Sequence, residues 1–173
     1  MFNEDTEQDF EDMAKRWPDL MSKSQQDYLG VGKGWIHILD TLFSLLSYRI
    51  ERDRAMLKHA MENPGAAVPY SIDELEAMVA REYKRLPVIT QIKEKFGALR
   101  FYYEGNVAEE VIYYVDFAQA ISARTCEVCG AAGEKRNNGW VKTLCDVHHK
   151  EREAEFEASK VVPKALKFLE DDE

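Results

Sequence analysis

Apolar residues recur along this chain at helical spacing in four places and alternate at strand spacing in one. Between residues 7 and 24, Phe10, Met13, Ala14, Trp17, Leu20 and Met21 follow one another three or four positions apart, which predicts a short amphipathic helix that tolerates Pro18. The segment "YLGVGKGW" breaks that rhythm. It lacks the spacing of a phosphate-binding loop and reads as a turn feeding the next helix. From Trp35 onward, Ile38, Leu39, Leu42, Leu45, Leu46 and Ile50 fall on one face of a long helix that Asn63-Pro64-Gly65 ends. His37 and His59, about six turns apart on it, are not a joint metal pair. A further helix starts at Ser71, with Glu74 completing a capping box, and stops before Pro87.

The period then changes from helix to strand. In "VITQIKEKFGALRFYYEG" β-branched and aromatic residues flank a charged centre, which predicts a β-hairpin turning at Lys95 to Gly97. Alternation places Val88, Thr90 and Ile92 on one face, and Leu99, Phe101 and Tyr103 on one face of the return strand. Asn106 reads as the cap of a helix with Glu109 and Glu110 in its first turn, and this helix leads directly to Cys126. A charged helix, "DVHHKEREAEFEASK", follows the last cysteine, and Pro163 divides it from an amphipathic tail. The fold class is therefore α+β, mostly helical with a small β-hairpin. Four segments are expected: an acidic helix and glycine-rich turn over 1–33, a helical core with the hairpin over 34–123, a metal-binding finger over 124–155, and an acidic tail over 156–173.

Composition narrows the function classes. The chain has 173 residues, 45% of them hydrophobic and 11% aromatic, enough to bury a core. No apolar run of about 18 residues is present, and the opening "MFNEDTEQDFEDMAKRW" is acidic where a secretory signal would be basic and then apolar. A cytoplasmic protein without membrane contact is expected. The net charge of −9 disfavours binding nucleic acid with the whole surface, though a local basic face is compatible with it.

All three cysteines and two of the four histidines lie in "TCEVCGAAGEKRNNGWVKTLCDVHHKE", residues 125–151. An odd number of cysteines in one cluster argues for a metal in a reducing compartment rather than a disulfide framework. Cys126-x-x-Cys129-Gly130 has the form of a zinc knuckle, and Cys145-x-x-His148 follows fifteen residues later. The four make a closed tetrahedral set of soft and borderline donors suited to structural Zn2+. His149 is the alternative fourth ligand, but the i, i+3 spacing of Cys145 and His148 favours His148. Asn137-Asn138-Gly139 signals a hairpin turn between the two ligand pairs. Knuckle, hairpin and helix together resemble a treble-clef finger. The cytidine-deaminase signature is absent. Nucleases of the HNH type carry histidines on the hairpin of such a finger, where this chain has Asn137, Asn138, Trp140 and Lys142.

Taken together, "GWIHILDTLFSLL", "QIKEKFGALRFYYEG" and "ISARTCEVCGAAGEKRNNGWVKTLCDVHH" resemble a group of small, uncharacterised proteins of bacteria, prophages and phages, over residues 34–150. The resemblance implies a C-terminal treble-clef-like finger and no stated activity. The expected function is a non-enzymatic interaction protein, phage-encoded, that binds and blocks a host protein, the acidity suiting a basic target. The alternative is a nucleic-acid-binding module using Arg124, Lys135, Arg136, Trp140 and Lys142 on the finger hairpin. An HNH-like nuclease is the third reading.

Overall fold

The structure is a computed structural model and describes residues 4–21 and 29–160. Helix α1 (Glu4–Arg16) and a single turn α2 (Pro18–Met21) are followed by the two-residue strand β1 (Leu29–Gly30) and a 3-10 turn at Lys33–Trp35. The long helix α3 (Ile36–Glu62), α4 (Ile72–Arg85), the hairpin β2 (Val88–Lys95) and β3 (Ala98–Glu104), and α5 (Glu110–Ser122) complete the body. A second hairpin, β4 (Glu134–Asn138) and β5 (Trp140–Leu144), and α6 (Asp146–Lys160) carry the cysteine region. The tail beyond α6 and residues 22–24 of the first expected helix lie outside the described residues.

The proline divides the N-terminal helix as its missing N–H demands: α1 stops at Arg16 and Pro18 begins the next turn. Both pieces still bury the expected face, with Met13, Leu20 and Met21 inside. Trp17 fixes α1 and α2 to α3 by donating its indole N–H to Asp40 at 2.8 Å, while Arg16 reaches the other oxygen of that carboxylate at 2.7 Å.

Helix α3 is the spine of the core. Trp35, Leu39, Leu42, Phe43 and Ile50 are buried, and Phe43 meets Phe101 of β3 edge to face with ring centroids 6.2 Å apart. Leu45, placed by periodicity on the same face, is 40% exposed instead. Ser47, one turn beyond Phe43, takes a buried position instead. The capping box at the start of α4 is present in full: Ser71 Oγ accepts from the Glu74 amide at 3.3 Å and Glu74 accepts from the Ser71 amide at 2.8 Å. Ser71→Ala is expected to cost about 1 kcal/mol in thermal unfolding. The Ser71 amide holds the Glu74 carboxyl below its ordinary range, so this cap is intact above that range and is lost as pH falls through the lowered value. A helical CD signal that falls on acidification in the wild type but not in Glu74→Gln checks the sign.

The β2–β3 hairpin turns through Phe96 and Gly97, both with positive φ (55° and 70°), the conformation of a two-residue type I′ loop. A register shift between Ile89 and Gln91 breaks the simple alternation: Ile89 and Ile92, rather than Val88, Thr90 and Ile92, face the core. Strand β1 adds to β2 in parallel, pairing Leu29 with Ile92, so the glycine-rich segment read as a turn begins as the third strand of this sheet. Asn106 is not the cap of α5. That helix begins at Glu110, and the wedge of Val107 and buried Ala108 against the core delays it.

Candidate metal centre

Two separate pieces of chain bring the candidate ligands together. The first is the knuckle between α5 and β4, closed by the Gly130 amide donating to the Cys126 carbonyl at 2.9 Å. Gly130 has φ +78°, and a Cβ there would meet the Gly34 carbonyl at 3.0 Å and the His37 ring at 3.1 Å, so this position favours glycine for both conformation and space. The second is the start of α6, immediately after β5. The β4–β5 hairpin pairs Glu134 with Leu144 and so returns the chain from one ligand pair to the other.

Cys126, Cys129, Cys145 and His148 offer ligand atoms that all lie within 4.8 Å of one another. Cys129 Sγ is 3.9 Å from Cys145 Sγ, and His148 Nδ1 is 3.2 Å from Cys145 Sγ and 3.5 Å from Cys126 Sγ. A tetrahedral ion with bonds of about 2.3 Å to sulfur and 2.0 Å to nitrogen holds sulfurs about 3.8 Å apart and sulfur from nitrogen about 3.5 Å. The donor set therefore fits a metal ion of that size and geometry. His149 lies outside the group: its Nε2 is 3.5 Å from Glu153, and its Nδ1 is buried without a hydrogen-bond partner among the described residues.

The electrostatics agree with this grouping. The backbone N–H of His148, at the open N-terminal turn of α6, and the neighbouring donors pull the Cys145 thiol down to about 6. Cys129 accepts from the Ala131 amide, yet burial and the neighbouring sulfurs of Cys126 and Cys145 raise it. Thiolates this close repel one another, and a cation among them removes the repulsion.

The finger is docked on the body rather than hung from it. Gly34 donates to the Glu127 carbonyl at 3.0 Å, Trp35 Nε1 donates to the Thr125 carbonyl at 2.8 Å, and Thr143 Oγ1 donates to the Gly97 carbonyl at 2.5 Å. The glycine-rich segment is what allows this approach. A Cβ on Gly32 would lie 2.1 Å from the Glu127 carbonyl oxygen, and one on Gly34 would lie 2.2 Å from that of Cys126 and 2.6 Å from the Gly130 nitrogen. Gly34→Ala is therefore expected to cost about 3 kcal/mol or more, since backbone atoms cannot give way as a side chain does. Thermal unfolding of the variant at saturating metal measures it.

The residues of the expected nucleic-acid patch are divided. Arg124, Lys135 and Arg136 line one depression together with Cys145 and Asp146. Arg136 is tied within it to Asp146 at 2.5 Å and Glu134 at 3.8 Å. Lys142 forms an ion pair with Glu127, whose carboxyl burial pushes up against the lowering by that lysine. Trp140 is 65% exposed, with its indole N–H on Glu94 at 3.1 Å.

Compared with family models, curated proteins and solved structures, the chain matches none of them. Among the described residues no helix is long and apolar enough to cross a membrane.

Proposed function

We propose that the cluster holds one structural Zn2+ through Cys126, Cys129, Cys145 and His148, and that the protein is a non-enzymatic interaction module whose surface the metal holds in place. Three thiolates and an imidazole form the donor set that suits zinc, and four protein ligands make a closed coordination shell. The order of knuckle, hairpin and helix supports a treble-clef reading of residues 124–155. The observation that carries the interaction reading is the docking of this finger on Gly32, Gly34 and Trp35. Ordering the metal site also orders the start of α3 and the hairpin turn at Gly97, so zinc acts at a distance on the shape of the body.

The net charge of −9 suits a basic protein partner, and the motif resemblance read from the sequence is the ground for proposing a cytoplasmic, phage-encoded blocker of a host protein. The depression lined by Arg124, Lys135 and Arg136 favours the second reading, contact with nucleic acid.

A pull-down from nuclease-treated bacterial lysate separates the two. Retention of a protein by the zinc-loaded full chain, lost on chelation and unaffected by the nuclease, supports the first. Capture of duplex or single-stranded DNA that weakens steeply with salt, and is lost in Arg124→Ala and Lys135→Ala, supports the second. Metal-dependent cleavage of nucleic acid that disappears in His149→Ala while zinc is retained would replace both with the HNH-like reading.

A further inference from the structure

We infer that the outer face of α3 and α5 is the interface of a two-fold symmetric homodimer. Helix α5 runs antiparallel to the first half of α3: Arg49 pairs with Glu110 at 2.5 Å at one end, and Ile121 shares a groove with His37 at the other. The inner faces of both helices are buried in the core. Their outer faces carry a second apolar stripe at helical spacing, with Leu45 and Tyr48 on α3 and Tyr113, Phe117 and Ile121 on α5.

Its area is that of an interface rather than of scattered surface residues. Tyr48, Tyr113 and Phe117 are 64%, 61% and 65% exposed, and Leu45 and Ile121 are 40% and 37% exposed. With 150–250 Å² for an aromatic side chain and somewhat less for an aliphatic one, these five present about 500 Å² per chain. That lies in the upper part of the range of about 300–600 Å² for the largest apolar patch of a typical monomer, and patches of this size are often functional. A standard interface takes about 800 Å² from each partner, most of which this patch supplies before its polar rim is counted.

The face is also complementary to itself. Between the helices lies a groove of about 130 Å³, walled by Leu42, Leu45, Phe117, Ala118 and Ile121. That is close to the ~150 Å³ of a cavity that takes up benzene. Thr41, which also lines it, turns its Oγ1 to the His37 carbonyl at 2.8 Å. A single face thus holds both a ring-sized receptor and the rings to fill it, the condition for an isologous contact in which each copy gives and receives the same group. Two antiparallel helix pairs stacked on this face make a four-helix bundle. The ion pair Arg49–Glu110 is closed within each chain, and repulsion between two chains of charge −9 is screened beyond about 8 Å at physiological salt.

Light scattering coupled to size exclusion tests this on the full zinc-loaded chain at about 50 μM, where an interface of micromolar strength is occupied. The expected mass is twice 20.0 kDa for the wild type and 20.0 kDa for Phe117→Glu and Leu45→Glu, with helical CD and zinc content unchanged in both. If one variant misfolds, Tyr48→Ser, at an exposed edge of the stripe, provides the same readout. A monomeric wild type overturns the inference, including the case in which deleting residues 161–173 converts it to a dimer, because the tail would then be what covers the face. A dimer that survives all three substitutions overturns it as well.

Discussion

Cys126→Ser is expected to abolish metal binding and melt the finger. Cys126 is the buried ligand of the four, and a serine hydroxyl at neutral pH neither carries the thiolate charge nor bonds comparably to zinc. Metal affinity in a site of this kind is folding free energy, on the order of 10 kcal/mol in small zinc fingers, so its loss removes what orders the knuckle against the start of α6. Hydrogen exchange should show residues 124–155 unprotected, together with the amide of Gly34, which donates to the Glu127 carbonyl of the knuckle. The helices α4 and α5, whose contacts are with α3 and β3, should stay protected. A chelator added to the wild type should reproduce the pattern. Retention of a full equivalent of metal by Cys126→Ser would show that the ligand set is wrong.

Trp35→Ala carries the second large effect. Trp35 is fully buried beside Leu39 and Leu42, and truncation of a buried tryptophan leaves a cavity worth about 3–5 kcal/mol. Its effect should not stop at the core, because the indole N–H also holds the Thr125 carbonyl next to the first metal ligand. Trp35→Phe separates the two roles. It restores most of the volume and leaves that carbonyl without its donor, for an expected cost of about 1–3 kcal/mol. Both variants should also bind zinc more weakly than the wild type, measured by competition with a chromogenic chelator. If Trp35→Ala destabilises the core and leaves zinc affinity unchanged, the finger and the body are not coupled through this contact.

How far the sequence spoke for itself depended on how local each signal was. Helix α3, the capping box at Ser71 and Glu74 and the turn at Phe96-Gly97 each rest on a few neighbouring residues, and each is where local physics places it, while the grouping of Cys126, Cys129, Cys145 and His148 follows from two short motifs joined by a hairpin. The errors fall where the outcome depends on distant chain. Leu45 has the period of a core residue, but the groove it borders is open on its outer side among the described residues. Alternation along β2 fails at one register shift, which a pattern of period two cannot anticipate. Gly32 and Gly34 were legible only as a turn, because the reason for them is the knuckle backbone almost a hundred residues away. The buried carboxylates Asp53 and Glu82 look like ordinary helix-surface acids in the sequence. In the fold they are held by Arg52 at 2.6 Å and Arg81 at 3.0 Å, at the level where α3 meets α4. The pairing of Lys142 with Glu127 likewise took one cation out of the expected basic patch.

The most direct test of the metal centre is elemental analysis of the full chain purified without chelator or affinity metal, paired with the single variants His148→Ala and His149→Ala. About one zinc per wild-type chain is expected, retained in His149→Ala and lost in His148→Ala, since only the His148 ring lies among the three sulfurs. Wild-type protein without metal, or zinc lost from His149→Ala and kept by His148→Ala, would contradict it.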